Sequence, residues 1–132
     1  MDGSYELDKS ALKALSHRSD ARGASRFLLH LAALGLGWLA IHHARGTPWL
    51  LSAVLATAVI LTFLFAPLHE TVHRTAFRSR TLSDLVATFC GFLLLLPANY
   101  FRAFHLEHHR WTQDRRRDPE LAAPPLAGRG AY

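Results

Sequence analysis

Apolar residues in this chain gather in long blocks rather than at amphipathic spacing. Phe27 to Ala44 is an 18-residue block without Asp, Glu, Lys or Arg, and Trp49 to Leu68 is a 20-residue block with no charged residue. A helix needs roughly 20 apolar residues to cross the hydrocarbon core of a bilayer. The Arg45–Pro48 segment between the blocks has the composition of a tight turn. The pattern therefore predicts an antiparallel hairpin of two transmembrane helices, about 27–44 and 49–68.

A third apolar run, Leu85 to Leu96, has only 12 residues before Pro97. As a helix it would reach about 18 Å, whereas the hydrocarbon core is about 30 Å thick. We expect an interfacial or re-entrant helix over about 82–96 that does not cross the membrane. The predicted fold class is therefore all-α: an integral membrane protein with a transmembrane hairpin and interfacial helices.

The polar segments complete the expected organisation. Residues 1–26 form a polar N-terminal segment, 27–121 hold the membrane domain, and 122–132 form a flexible C-terminal end. Five basic residues precede Phe27, one lies in the turn and nine follow Leu68. By the positive-inside rule, both termini face the cytoplasm, and the chain is multi-pass. A basic balance of 15 Lys and Arg against 10 Asp and Glu also suits nucleic acid, but the apolar blocks favour a membrane, and no nucleic-acid partner is expected.

Nine histidines are unusual in a chain of 132 residues, and five of them fall in two clusters. On a helix, residues four apart, or three and four apart, share one face, so each cluster can direct its imidazoles at a metal ion. Because the run between the clusters does not cross the membrane, we expect one composite site on the cytoplasmic side. The predicted metal ligands are His69 and His73 in the first cluster and His105, His108 and His109 in the second. The other four, which we assign to interfacial positions, are His17, His30, His42 and His43.

The number of ligands bears on the identity of the metal. Imidazole suits zinc, iron, copper and nickel, so histidine alone does not choose among them. A tetrahedral zinc site takes four ligands, and a catalytic one takes three and a water. Five clustered histidines exceed what one zinc ion needs, which favours two metal ions, and two irons suit the ligands best.

These motifs resemble those of the membrane fatty acid desaturases, a family with related hydroxylases and ketolases. His69-x-x-x-His73 is similar to the first histidine box of the family and His105-x-x-His108-His109 to the second, with similar flanking sequence at 109–114 and 117–120. The resemblance covers roughly 49–121. It implies a di-iron centre, dioxygen as co-substrate, an acyl-chain lipid substrate, and an electron donor such as a ferredoxin or a cytochrome.

The family has a third histidine box beyond a second pair of membrane helices, and no histidine follows His109 here. We therefore expect an oxidoreductase of the desaturase type in partial form, which lacks the full ligand set and is inactive as this chain alone.

Other interpretations remain open from the sequence. A related di-iron hydroxylase or ketolase would carry the same boxes. His69-Glu70-Thr71-Val72-His73 also fits the HExxH signature of zinc metalloproteases, in which Glu70 would be the general base. A non-catalytic protein that binds metal for storage or sensing is a further alternative. Arg115, Arg116 and Arg117 suit either an acidic electron donor or anionic lipid headgroups.

Overall fold

A computed structural model describes residues 8–121, and every regular element in that range is a helix. The absence of strands there confirms the prediction of an all-α membrane fold. The predicted flexible segment 122–132 and the first seven residues lie outside the described range. The six helices are α1 (Lys9–Leu15), α2 (Asp20–Ala44), α3 (Leu50–Thr62), α4 (Phe65–Val72), α5 (Arg80–Leu93) and α6 (Ala98–Trp111).

Within the described residues, two helical stretches are long and apolar enough to cross a membrane. They are α2 and the 23-residue stretch Leu50–Val72, which contains α3 and α4. Helices α2 and α3 pack as the predicted hairpin, and Gly37 permits a close approach because a Cβ there would lie 2.7 Å from Thr57 Oγ1. Large apolar side chains on both helices are exposed, as in Leu29 at 74% and Leu51 at 67%. Such all-round apolar helices suit lipid rather than water.

Helix α2 begins at Asp20, well before the apolar block at Phe27. Ser19 caps this end, because its hydroxyl oxygen accepts the Arg22 N–H at 3.4 Å. The Asp20 carboxylate also accepts the N–H of Ser79 at 2.8 Å. Since Ser79 is the N-cap of α5, this bond ties the start of α5 to the start of α2.

The second apolar block forms two helices rather than one, because α3 ends at Thr62 and α4 begins at Phe65. Pro67 explains the break: its nitrogen cannot donate, and its ring disfavours a helical carbonyl at Phe63. At the break, the Leu64 N–H donates to the Leu61 carbonyl at 3.0 Å instead of to Ile60. His30 of α2 supplies a donor there, with its Nε2 at 3.1 Å from the Ile60 oxygen. His30 is therefore a contact between α2 and α3 and not only an interfacial residue as the sequence suggested.

The buried core lies among α4, α5 and α6 rather than in the hairpin. Helix α4 contributes Leu68 and Val72, which pack with residues of α5, including the fully buried Cys90. Phe101 brings α6 against the same core. Burial of these apolar side chains is the main force that holds α4 against the two following helices.

Helices α5 and α6 meet at a bend of 100°. Helix α5 ends in a Schellman motif: the Leu96 N–H donates to the Gly91 carbonyl at 2.8 Å, and the Leu95 N–H donates to Phe92 at 3.2 Å. Leu95 adopts the left-handed φ of 55° that this motif requires. Gly91 leaves room for the returning chain, because a Cβ there would lie 2.5 Å from the Leu96 carbonyl oxygen. The bend directs α6 back towards α4.

We predict that Gly91→Ala destabilises the protein, because the new methyl group meets backbone atoms that cannot rotate away. Overpacking of this kind costs about 1–3 kcal/mol. Thermal unfolding in detergent, followed by circular dichroism, should show a lower midpoint. Gly35→Ala is the matched control, since a Cβ at Gly35 meets nothing within 4 Å. Equal midpoints for the two variants would mean that the bend does not depend on Gly91.

Candidate metal centre

The first histidine pair lies at the end of the second membrane-spanning stretch. His69 belongs to α4, and His73 is the C-cap residue just after it. The His73 N–H still donates to the His69 carbonyl at 3.2 Å, so the two side chains keep their helical relation although the helix stops. Their ring centroids are 4.6 Å apart. Arg74, at φ 55°, then turns the chain away in a second Schellman motif.

The second cluster lies on α6, which the bend places beside α4. His105 is buried, at 8% exposed, and its ring centroid lies 4.4 Å from that of His69. Its Nε2 atom is 2.9 Å from Nε2 of His73 and 3.0 Å from Nε2 of His109. Two helices that are far apart in sequence thus bring their imidazole nitrogens together. The potential ligand atoms of His69, His73, His105 and His109 all lie within 4.8 Å of one another, and we call these four imidazoles the four-ring group.

The spacing of these nitrogens suits a common metal ion. When two ligand nitrogens each lie about 2.1 Å from a metal ion and the nitrogen–metal–nitrogen angle is about 90°, the two nitrogens lie about 3.0 Å apart. The two Nε2 separations at His105 are 2.9 and 3.0 Å. The donor set also suits iron, since imidazole is a usual ligand of that metal. The group therefore has the composition and the size of a metal site.

Electrostatics keep the inner imidazoles neutral, as metal binding requires. Burial, and after it the charges of the neighbouring histidines His69, His109, His73 and His108, together lower the pKa of His105 to about 4. Burial also lowers the pKa of His73, with His69 and His109 adding to the effect. Lone pairs on these rings are consequently available near neutral pH.

His108 is the predicted ligand that lies apart from the four-ring group. Its Nδ1 donates to the Asp118 carboxylate at 2.8 Å, and its ring centroid is 6.2 Å from that of His105. The hydrogen bond that His108 donates to Asp118 raises the pKa of His108. Burial raises the pKa of Asp118, but hydrogen bonds from His108 and from two backbone N–H groups outweigh it and lower that pKa. The structure thus brings four of the five predicted histidines together and leaves His108 at their edge.

Contacts outside the rings hold α6 in place. Phe101 stacks on His105 with centroids 5.1 Å apart, and it also meets Phe65 of α4 at 5.2 Å. Asp84 of α5 accepts a hydrogen bond from Arg74 at 3.1 Å and from Arg102 of α6 at 3.4 Å. The Asp84 carboxylate of α5 therefore links Arg74, which follows the α4 C-cap, to Arg102 of α6, although the exposure of Asp84 limits what each ion pair contributes.

The two glutamates that interrupt the clusters do not join the four-ring group. Glu70 is exposed and lines a cleft beside His69. Glu107 accepts a hydrogen bond from the Trp111 indole at 2.6 Å. The position of Glu70 gives no support to its role as the general base of an HExxH protease.

The arginines after α6 differ from one another. The Arg117 guanidinium lies over the Trp111 ring, 4.3 Å from its centroid, and its Nε is 3.9 Å from Asp114. Arg115 and Arg116 are exposed. Of the three arginines at 115–117, Arg115 and Arg116 therefore suit an exposed basic surface.

Sequence reasoning missed two polar contacts: the bond from His30 to the Ile60 carbonyl and the bond from His108 to Asp118. The first depends on a helix break that apolar composition does not reveal. Asp118 lies in the stretch that resembles family sequence, but neither its spacing nor its residue type indicated a partner.

These features describe a helical membrane protein in which four imidazoles that could hold a metal ion gather at the end of a spanning stretch. Comparison with known proteins identifies the family: the fatty acid desaturase family model matches residues 44–132. The chain belongs to the fatty acid desaturase family, and its two spanning stretches make it a membrane protein.

One curated relative is an sn-1 oleoyl-lipid 12-desaturase from Arthrospira platensis. It is 31% identical to this chain over 87 residues, which are 64% of this chain and 24% of the relative. The chain thus spans about a quarter of the length of that protein. No solved structure matches the chain.

We predict that His73→Ala and His105→Ala each weaken binding of Co²⁺, used as a spectroscopic substitute for iron. Each change removes a nitrogen from the four-ring group. The loss of Co²⁺ affinity should be larger than the loss of about 10–100-fold that is usual when a hydrogen-bond partner of a metal ligand is replaced. Visible absorption during titration of the purified protein in detergent gives the affinity. His43→Ala, which changes an exposed histidine at the far end of α2, is the control, and equal affinities would show that the group is not the metal site.

Proposed function

We propose that this chain carries the first two histidine boxes of a membrane-bound fatty acid desaturase, which introduces a double bond into a lipid acyl chain. The observation that carries the proposal is the convergence of four imidazoles from α4 and α6 at the end of a membrane-spanning stretch. Family membership and the similarity to an oleoyl-lipid desaturase support the same chemistry.

The ligands proposed for a di-iron centre are His69, His73, His105, His108 and His109. Four of these already lie close enough to share metal ions, and His108 adds a fifth ring at the edge of the group. A third histidine box, as the family resemblance implies, would supply the remaining ligands. The role of these residues is to bind and orient the metal and to limit its exposure to water.

When bound, the irons supply the redox chemistry that removes two hydrogens from adjacent methylene groups. Dioxygen accepts two electrons from a donor, two electrons and two protons from the acyl chain and two further protons, which yields an alkene and two water molecules. The electron donor is a ferredoxin or a cytochrome-type protein. The residues of this chain would position the acyl chain beside the metal site, and the complete protein would need to exclude water there.

A cleft beside His69 is a suitable place for the acyl chain. It has a volume of about 430 Å³, and its apolar lining includes Phe63, Phe65 and Ala66. Its position at the break between α3 and α4 puts it at the boundary between the apolar hairpin and the histidines. An acyl chain could therefore enter from the lipid side and pass close to His69.

The proposed orientation places the histidines and both ends of the hairpin on the cytoplasmic side. The basic residues before α2 and after α4 support this side, whereas the connecting turn has only Arg45. Reduced electron carriers are present in the cytoplasm, so this orientation also gives a donor access to the metal site.

We predict that a single cysteine at Arg78 is protected in intact cells from a thiol reagent that does not cross membranes, whereas one at Arg45 is labelled. Both side chains are exposed, and they lie at opposite ends of the hairpin. Cys90 is replaced by Ala in both variants to remove the native thiol. Lysed cells serve as the control, in which both positions should react. Labelling at Arg78 but not at Arg45 in intact cells would reverse the orientation.

We predict that the 132-residue chain alone forms no unsaturated product, and that co-expression with a segment of the oleoyl-lipid desaturase that contains a third histidine box restores it. The reason is that five histidines leave a di-iron centre short of ligands. Gas chromatography with mass spectrometry of cellular fatty acids, together with iron analysis of the purified protein, gives the result.

His105→Ala should abolish the restored product, while His43→Ala should leave it unchanged. Hydroxylated rather than unsaturated product would indicate the related hydroxylase chemistry and overturn the desaturase assignment. Product from the chain alone would show that the five histidines suffice. Zinc rather than iron in the purified complex, with no oxidised lipid, would contradict the oxygenase proposal.

A further inference from the structure

The loop that follows α6 is built around one carboxylate. Asp118 is fully buried, with a relative exposure of 0%. One of its oxygens accepts hydrogen bonds from His108 Nδ1 at 2.8 Å and from the Glu120 N–H at 3.0 Å. The other oxygen accepts the Gln113 N–H at 3.1 Å. A buried carboxylate is stable only when it is compensated in this way.

The side chain that donates to Asp118 is His108, which lies beside the four-ring group. A carboxylate accepts but does not donate, so the contact at Nδ1 requires a proton on that nitrogen. In the neutral ring, Nε2 then carries the lone pair. The side-chain contact fixes both the tautomer of His108 and the plane of its ring.

We propose that Asp118 is a positioning residue that acts through His108, holding Nε2 as the atom that binds a metal ion. This inference rests on the proposed function in one respect, namely that His108 is a ligand. Metal-binding histidines commonly donate their second nitrogen to a carboxylate, which fixes the ring and raises its basicity. The buried carboxylate and its bond to Nδ1 are the features of this chain that carry the assignment.

Other contacts hold the loop on α6 without Asp118. The Arg117 guanidinium stacks on Trp111, and the Thr112 hydroxyl donates to the His108 carbonyl at 2.8 Å. The Asp114 side chain accepts the Arg116 N–H at 2.9 Å within the same loop. A conservative change at Asp118 therefore tests its bond to His108 more directly than it tests folding.

The test compares Asp118→Asn with Asp114→Asn, a matched loss of one carboxylate that does not contact His108. An amide can either donate or accept, so the variant at Asp118 no longer imposes one tautomer. All proteins compared carry Glu120→Gln as well, because Glu120 Oε2 lies 3.4 Å from the same Nδ1. Nitrogen chemical shifts of ¹⁵N-labelled histidine in the metal-free protein should show His108 protonated at Nδ1 in the wild type and in Asp114→Asn. Asp118→Asn should give a mixture of tautomers.

Titration with Co²⁺ in detergent gives the second measurement. Asp118→Asn should weaken the binding step that involves His108 by about 10–100-fold, the range for outer partners of metal ligands. In a His108→Ala background the same change should have no further effect. The positioning role would be overturned if Asp118→Asn changed the tautomer of His108 but not the Co²⁺ affinity. It would also be overturned if Asp118→Asn weakened Co²⁺ binding equally in the wild-type and the His108→Ala backgrounds.

Neither measurement depends on turnover. If the protein shows the tautomer and affinity effects but still forms no unsaturated product when it is co-expressed with the segment that contains a third histidine box, the proposed function is contradicted and the role of Asp118 is left intact. Wild-type His108 protonated at Nε2 would overturn the inference whatever the activity. Circular dichroism of all variants shows whether a loss of Co²⁺ affinity arises from unfolding.

Discussion

The histidine site depends on the turn between α5 and α6. Imidazoles from one helix alone supply two or three nitrogens, and a larger set requires a second helix that returns towards the first. The 100° bend provides that return, and the bond from the Leu96 N–H to the Gly91 carbonyl closes it. Since Gly91 has no side chain, the returning backbone can approach α5 closely. This local close approach determines where His105 and His109 lie.

The molecule divides its apolar burial between two environments. Helices α2 and α3 expose most of their apolar side chains within the described residues, as suits contact with the apolar core of a membrane. Helices α4, α5 and α6 instead bury a small core of their own, which includes Leu68 and Cys90. The histidines lie where the first environment gives way to the second. The candidate metal ligands there are fixed by protein packing, while the adjacent cleft beside His69 has an apolar lining.

Block length and histidine spacing were enough to predict the hairpin, the all-α fold and the two clusters. They did not predict the break before Phe65, because Pro67 lies within an apolar run that is continuous in composition. Helical spacing grouped His108 with His105 and His109. Counted from His105, His108 is at i+3 and His109 at i+4, and the ring of His108 lies farther from that of His105, at 6.2 Å against 4.5 Å between centroids. The contact with Asp118 crosses a turn in which Gln113 has a φ of 70°, and local propensity does not reveal such a contact.

The acidic residues are arranged outside the four-ring group. Its potential ligands are all imidazoles, which are neutral when they bind, so a bound dication would keep its full charge. Asp118 lies behind His108, and Glu120 Oε2 is 3.4 Å from the same ring nitrogen. The two carboxylates thus lie close to the four-ring group, with His108 between, and do not occupy coordination positions themselves. Such a placement would stabilise a bound cation electrostatically and leave ligand positions open, as the proposed oxygen-dependent chemistry requires.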